Sequence, residues 1–114
     1  MNFIKYQKDV KRTMNSDPKY TELELTGNFS LGIMEELGEF CGALKKFLYH
    51  EHKFNREKLI EEAGDFLWYF TAMLEKYGLT LEEVAKYNVK KLRKRYPNGF
   101  DTERSKNRNT SFEE

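Results

Sequence analysis

Two short acidic clusters hold the residue types best suited to chemistry in this chain: Glu35-Glu36-Leu37-Gly38-Glu39 and Glu62-Ala63-Gly64-Asp65, with 22 residues (40–61) between them. On a helix, residues three or four apart share a face, so Glu36 and Glu35 each align with Glu39, and Glu62 aligns with Asp65. If both segments are helical and lie side by side, four or five carboxylates converge on one small volume. Like charges gathered this way repel, and burying them uncompensated is costly. A hard divalent cation with oxygen-only ligands, Mg²⁺ first, is the natural occupant.

Glu-rich helices are more often solvated faces than sites, and the surroundings of the second pair decide between the two. Glu62 and Asp65 interrupt an apolar run from Leu59 and Ile60 through Phe66-Leu67-Trp68-Tyr69-Phe70 to Met73 and Leu74. At 3.6 residues per turn, Leu59, Ala63, Phe66, Phe70, Met73 and Tyr77 form one stripe, with Trp68 on the opposite side. A helix apolar nearly all round is buried on most sides, which leaves Glu62, Asp65 and Tyr69 on a narrow polar strip. Buried carboxylates must be paired or ligate metal. The first cluster gives a milder signal. Ile33, Leu37, Cys41, Leu44 and Leu48 read as a core stripe, and the acidic face lies well round from it. That acidic face carries small residues, Gly32 and Ala43, where another backbone or a ligand can come close.

Four helices must position these groups, and the chain reads as all-α and four-helix bundle-like. The first runs from about Phe3 to Met14 and ends at Asn15-Ser-Asp-Pro. A polar connector, Lys19 to Asn28, leads to Ser30, read as the cap of an acidic helix that continues to about His50. Asn55 caps a third helix, Arg56 to Tyr77, closed by Gly78. Thr80-Leu-Glu-Glu83 is a capping box for a fourth, ending near Tyr96 before Pro97-Asn-Gly. Residues 1–100 form the domain, and 101–114 read as a polar, disordered tail.

Composition limits the partners. The 114 residues carry a net charge of only +1, so no whole-protein field draws in nucleic acid or a membrane surface. No apolar stretch approaches a membrane span and Met1-Asn-Phe-Ile-Lys lacks a leader pattern, so a cytoplasmic protein is expected. The single Cys41 reads as a small buried hydrophobe. His50 and His52 sit in a charged loop, and neither follows a Glu by three residues as di-iron bundles require. On the fourth helix Asn88, Lys91 and Arg95 recur at i, i+3 and i+7. Cations facing a carboxylate–metal cluster point to polyphosphate as the ligand.

These residues together are similar to the signature of the MazG-type, all-α nucleoside triphosphate pyrophosphohydrolases. The likeness rests on Glu35-Glu36-x-x-Glu39, then Glu62-x-x-Asp65 before Phe-Leu-Trp-Tyr69, and the ending Asn88-x-x-Lys91-Leu-Arg-x-Arg95-Tyr-Pro-Asn-Gly-Phe100. The opening Tyr6-Gln7 through Arg12-Thr13 also resembles the family's first helix. The resemblance implies cleavage of an NTP or dNTP between the α- and β-phosphates. It implies Mg²⁺, with Mn²⁺ as a substitute, held by Glu36, Glu39, Glu62 and Asp65, and Glu35 as an outer ligand or as the base that activates water. Lys91 and Arg95 would neutralise the leaving pyrophosphate, and Asn88 and Tyr69 would contact the nucleotide. The resemblance also implies a dimer or dimer of dimers in which a neighbouring subunit finishes the pocket, which suits a four-helix chain with little wall for a nucleotide and 15% aromatic residues. Two rivals stand beside this reading: a narrower dUTP or phosphoribosyl-ATP pyrophosphohydrolase, and a non-catalytic helical interaction module.

Overall fold

The computed structural model describes residues 1–107. It is all-helical, in the order α1 (Phe3–Thr13), α2 (Glu22–Tyr49), α3 (Arg56–Lys76), α4 (Leu81–Arg95) and α5 (Thr102–Lys106). The described residues contain no strand, only an isolated bridge between Pro97 and Gly99. Two compact units divide the chain, Met1–Thr80 and the residues from Leu81 onward.

Local signals account for most of the helix ends in the first unit. Asn2 caps α1 by accepting a hydrogen bond from the Lys5 amide at 2.9 Å. Asn55 caps α3 in the same way, through the Lys58 amide at 3.0 Å. At the other end of α3, Gly78 takes φ 72°. That left-handed step lets the Gly78 amide donate to the Glu75 carbonyl and the Leu79 amide to the Leu74 carbonyl, at 3.1 and 2.9 Å. Both bonds belong to the glycine stop expected from the sequence.

The start of α2 differs from the sequence expectation. The helix begins at Glu22, not after Ser30, because Thr21 and Glu24 form a capping box. The Thr21 hydroxyl accepts from the Glu24 amide at 3.1 Å, and the Glu24 carboxylate accepts from the Thr21 amide at 3.0 Å. Two amides that would otherwise lack helical partners are satisfied at once. This holds the Glu24 carboxyl below its ordinary range.

Helix α3 packs against both α1 and α2. Val10, Phe29 and Ala72, one from each helix, are the buried centre, with Tyr6, Leu25, Trp68, Tyr69 and Met73 around them. Trp68 meets Phe29 edge to face and donates its indole N–H to the Thr13 hydroxyl at 2.8 Å. The Gln7 amide ties α1 to the end of α3, donating to the Glu75 carboxylate at 2.7 Å and the Leu79 carbonyl at 2.8 Å. Lys76 pairs with Glu22 across α3 and α2.

The stripe expected to form the core of α2 does not do so. Leu37, Cys41 and Leu48 are exposed, and only Ile33 and Leu44 are half-buried. The buried residues of α2 are Phe29 and Gly32, roughly a third of a turn away. Gly32 sits so close to α3 that a Cβ there would come within 2.3 Å of the Tyr69 ring. Close approach at this glycine sets which face of α2 turns inward.

In the second unit, Tyr96 continues α4 by one hydrogen bond to the Leu92 carbonyl at 2.8 Å, and Gly99 takes φ 89°. The polar composition beyond residue 100 predicts disorder, yet Thr102–Lys106 forms a short helix. Asp101 caps it with bonds from the Glu103 and Arg104 amides at 2.8 and 3.1 Å. The Arg104 guanidinium then donates to the Arg95 carbonyl at 2.8 Å. The rest of that expectation, residues 108–114, lies outside the described residues.

Candidate active site

The inward face of α2 is the acidic one. It brings Glu36 against the pair that α3 presents one turn apart, Glu62 and Asp65. One carboxylate oxygen from each of these three residues lies within 4.8 Å of the others. Glu62 is only 5% exposed, Glu36 is half-buried and Asp65 opens to solvent, so the group spans the depth from core to surface.

Charge so concentrated shows in the titration of Glu36. The Glu36 carboxyl is held above its ordinary value of 4.5, first by burial, then by Asp65, Glu35, Glu62 and Glu39. Without a cation beside it, ionised Glu36 costs the fold stability. Glu62, the most buried member, has a partner that the sequence reading did not name. The Lys58 ammonium lies 2.7 Å from its carboxylate, at i, i+4 spacing. That bond is the main reason the Lys58 pKa is raised, with the charges of Glu62, Glu61 and Glu39 adding to it. The lysine one turn before Glu62 was visible in the sequence as an i,i+4 pair. Tyr6 is a second neighbour that the sequence reading did not place at the site. Its hydroxyl pKa is raised by burial and by Asp65, which brings α1 to the edge of the site.

The remaining expected site residues fall in different places. Glu35 and Glu39 are exposed and outside the three-carboxylate group, although both bear on Glu36 electrostatically. Tyr69 packs its ring over Gly32 and meets Trp68 edge to face at 5.0 Å. Asn88, Lys91 and Arg95 belong to the second unit; there Asn88 is exposed and Lys91 and Arg95 are half-buried.

Three hard oxygen donors with no sulfur or imidazole among them fit Mg²⁺ or Mn²⁺ and not the softer metals. The excess negative charge fits a cation of either kind. Lys58 offsets one charge, and two carboxylates remain without an opposing cation in the group.

Residues 27–100 match the family model of the MazG nucleotide pyrophosphohydrolase domain. The matched stretch contains both acidic clusters and the Asn88-to-Phe100 ending, and leaves out α1 and the first residues of α2. No curated protein and no solved structure matches the chain. No helix among the described residues is long and apolar enough to cross a membrane.

Proposed function

Since the chain belongs to the MazG nucleotide pyrophosphohydrolase family, we propose that it hydrolyses nucleoside triphosphates between the α- and β-phosphates, releasing a monophosphate and pyrophosphate. The observation that carries this reading is the convergence of Glu36, Glu62 and Asp65 within 4.8 Å, one of them buried. These three would hold Mg²⁺, or Mn²⁺ in its place, with Glu39 joining them by rotation of an exposed side chain. A divalent ion bound there supplies charge that polarises phosphoryl oxygens and makes water more acidic.

The side chains divide the remaining work. Lys58 pairs with the Glu62 carboxylate and fixes its direction. Exposed Glu35, next to the cluster, is an outer ligand or accepts the proton of the attacking water. Lys91 and Arg95 offset the charge of departing pyrophosphate, while Asn88 and the polar end of Tyr69 contact the nucleotide. Self-association into a dimer or dimer of dimers belongs to the same reading. Its support is the apolar side of α2, where Met34 is 67% and Leu48 63% exposed, a surface that favours a partner over water.

The experiment is a panel of ribo- and deoxynucleoside triphosphates, with dUTP and phosphoribosyl-ATP included, assayed with Mg²⁺, with Mn²⁺ and with chelator. Monophosphate and pyrophosphate in equal amounts, only with metal, is the expected result. Release of orthophosphate, or no turnover of any nucleotide, would sink the proposal, the latter favouring an interaction module.

A further inference from the structure

A pocket of about 540 Å³ opens beside the carboxylate cluster, between the C-terminal half of α2 and the segment that leads into α3. Small-molecule sites span roughly 300–1,000 Å³, so the space suits one ring system with its sugar. Phe47 and Phe54 line it and meet edge to face, 5.3 Å between ring centres. Glu39 and Lys58 line it too, and they connect it to the cluster, since Lys58 holds Glu62 and Glu39 acts on Glu36.

Gly38 and Gly42 form part of its lining, one turn apart within α2. Glycine inside a helix weakens it, so such positions call for a reason. At Gly32 the reason is Tyr69, but a Cβ added at Gly38 or Gly42 would meet nothing within 4 Å. Packing among the described residues does not require these two glycines. Their effect is to leave backbone open to the pocket.

We propose that this pocket receives the nucleoside end of the substrate, the base lying over Gly42 against the Phe47–Phe54 wall. The phosphate chain then runs past Glu39 to Glu36, Glu62 and Asp65. The inference rests on the nucleotide-hydrolysing reading above and assigns the direction in which the substrate lies. Aromatic edges and bare backbone suit the flat faces of a base, which stacks whatever its hydrogen-bonding pattern. Lys46 and Lys53 also line the pocket and make the pyrophosphate end the competing occupant. The aromatic wall favours the base, because the Phe47 and Phe54 rings stack on its faces and offer a phosphate no hydrogen bonds.

The test is Gly42→Leu, whose Cβ would meet nothing within 4 Å and whose longer side chain would occupy the pocket, with Phe54→Ala as the variant that empties one wall. For Gly42→Leu, the KM of the preferred triphosphate and the inhibition constant of its monophosphate should rise about tenfold. The inhibition constant of pyrophosphate should stay constant, and the melting temperature should hold or increase. Phe54→Ala should raise the same two constants and narrow the discrimination between bases; it carries the test alone if Gly42→Leu does not fold. Weaker pyrophosphate inhibition with monophosphate inhibition unchanged overturns the direction assigned here. Unchanged constants in both variants, or a fall in assembly mass with Gly42→Leu, overturn the pocket as a ligand site. If the unaltered chain turns over no nucleotide, the hydrolase reading fails by itself. Calorimetric titration of nucleoside monophosphate into both forms then decides the pocket separately: binding that Gly42→Leu abolishes keeps it, and no binding removes it.

Discussion

On the side of α2 that meets α3 stand Phe29, Gly32 and Glu36; on another side stand Met34, Leu37, Cys41 and Leu48, all four exposed. The more hydrophobic side is thus the outer one. Burying the acidic side is unfavourable unless charge is compensated, and the fold does so by pairing buried Glu62 with exposed Lys58 and with a glycine that lets α3 approach. Hydrophobicity alone does not select the face a helix turns inward when two partners compete for it. Here α3 takes the side that builds the site. The apolar side is left for a second copy of the chain, on the reading proposed above.

The sharpest way to break this comparison is to neutralise the inner side. Asp65→Asn should lower turnover by about a thousandfold, the scale of losing one preorganised electrostatic group. Because it also removes a charge that acts on Glu36, the metal-free variant should melt no lower than the parent. Steady-state rates beside melting curves in chelator check both halves. Full activity, or unfolding, would show that the inner carboxylates are not a site.

A second substitution probes what lets that side turn inward. Gly32→Ala places a Cβ against the Tyr69 ring, closer than real contacts allow. Overpacking of this kind costs about 1–3 kcal/mol. A chemical denaturation curve should show the loss with its slope unchanged. If stability is untouched, Tyr69 has room to move and the close approach does not set the face.

How far the sequence carried depended on the range of the forces involved. Glu62 and Asp65 were legible because spacing along one helix is local, and so were Asn55 and Gly78, whose own side chain or lack of one ends the helix. The Thr21–Glu24 box was equally local but lay inside a polar stretch that reads as a connector. The role of Leu37, Cys41 and Leu48 was not legible, because an apolar stripe carries no label saying which chain covers it. Nor was the position of Glu39. Backbone spacing fixes its face, while the rotamer of an exposed glutamate depends on what it binds.

Outer-side chemistry separates cleanly from the fold. Met34→Glu puts charge on the exposed apolar side, so it should reduce the assembly to monomers at micromolar concentration with helicity unchanged. Light scattering and circular dichroism read the two quantities independently. An unaltered chain that is already monomeric would remove the partner proposed for this side.

The smallest expected effect lies where α2 begins, away from both sides. Thr21→Ala removes the hydroxyl that caps the helix and should cost about 1 kcal/mol near neutral pH. Its pH dependence follows from Glu24, whose carboxyl is held below the ordinary 4.5 by the Thr21 amide and then the Thr21 hydroxyl. A lowered carboxyl pKa contributes stability above the ordinary value and loses it as pH falls through the folded one. Parent and Glu24→Gln melting temperatures should therefore differ above that window and converge as acid protonates the parent glutamate. A difference that persists unchanged into acid would mean that Glu24 acts through its shape, with its charge irrelevant to the start of α2.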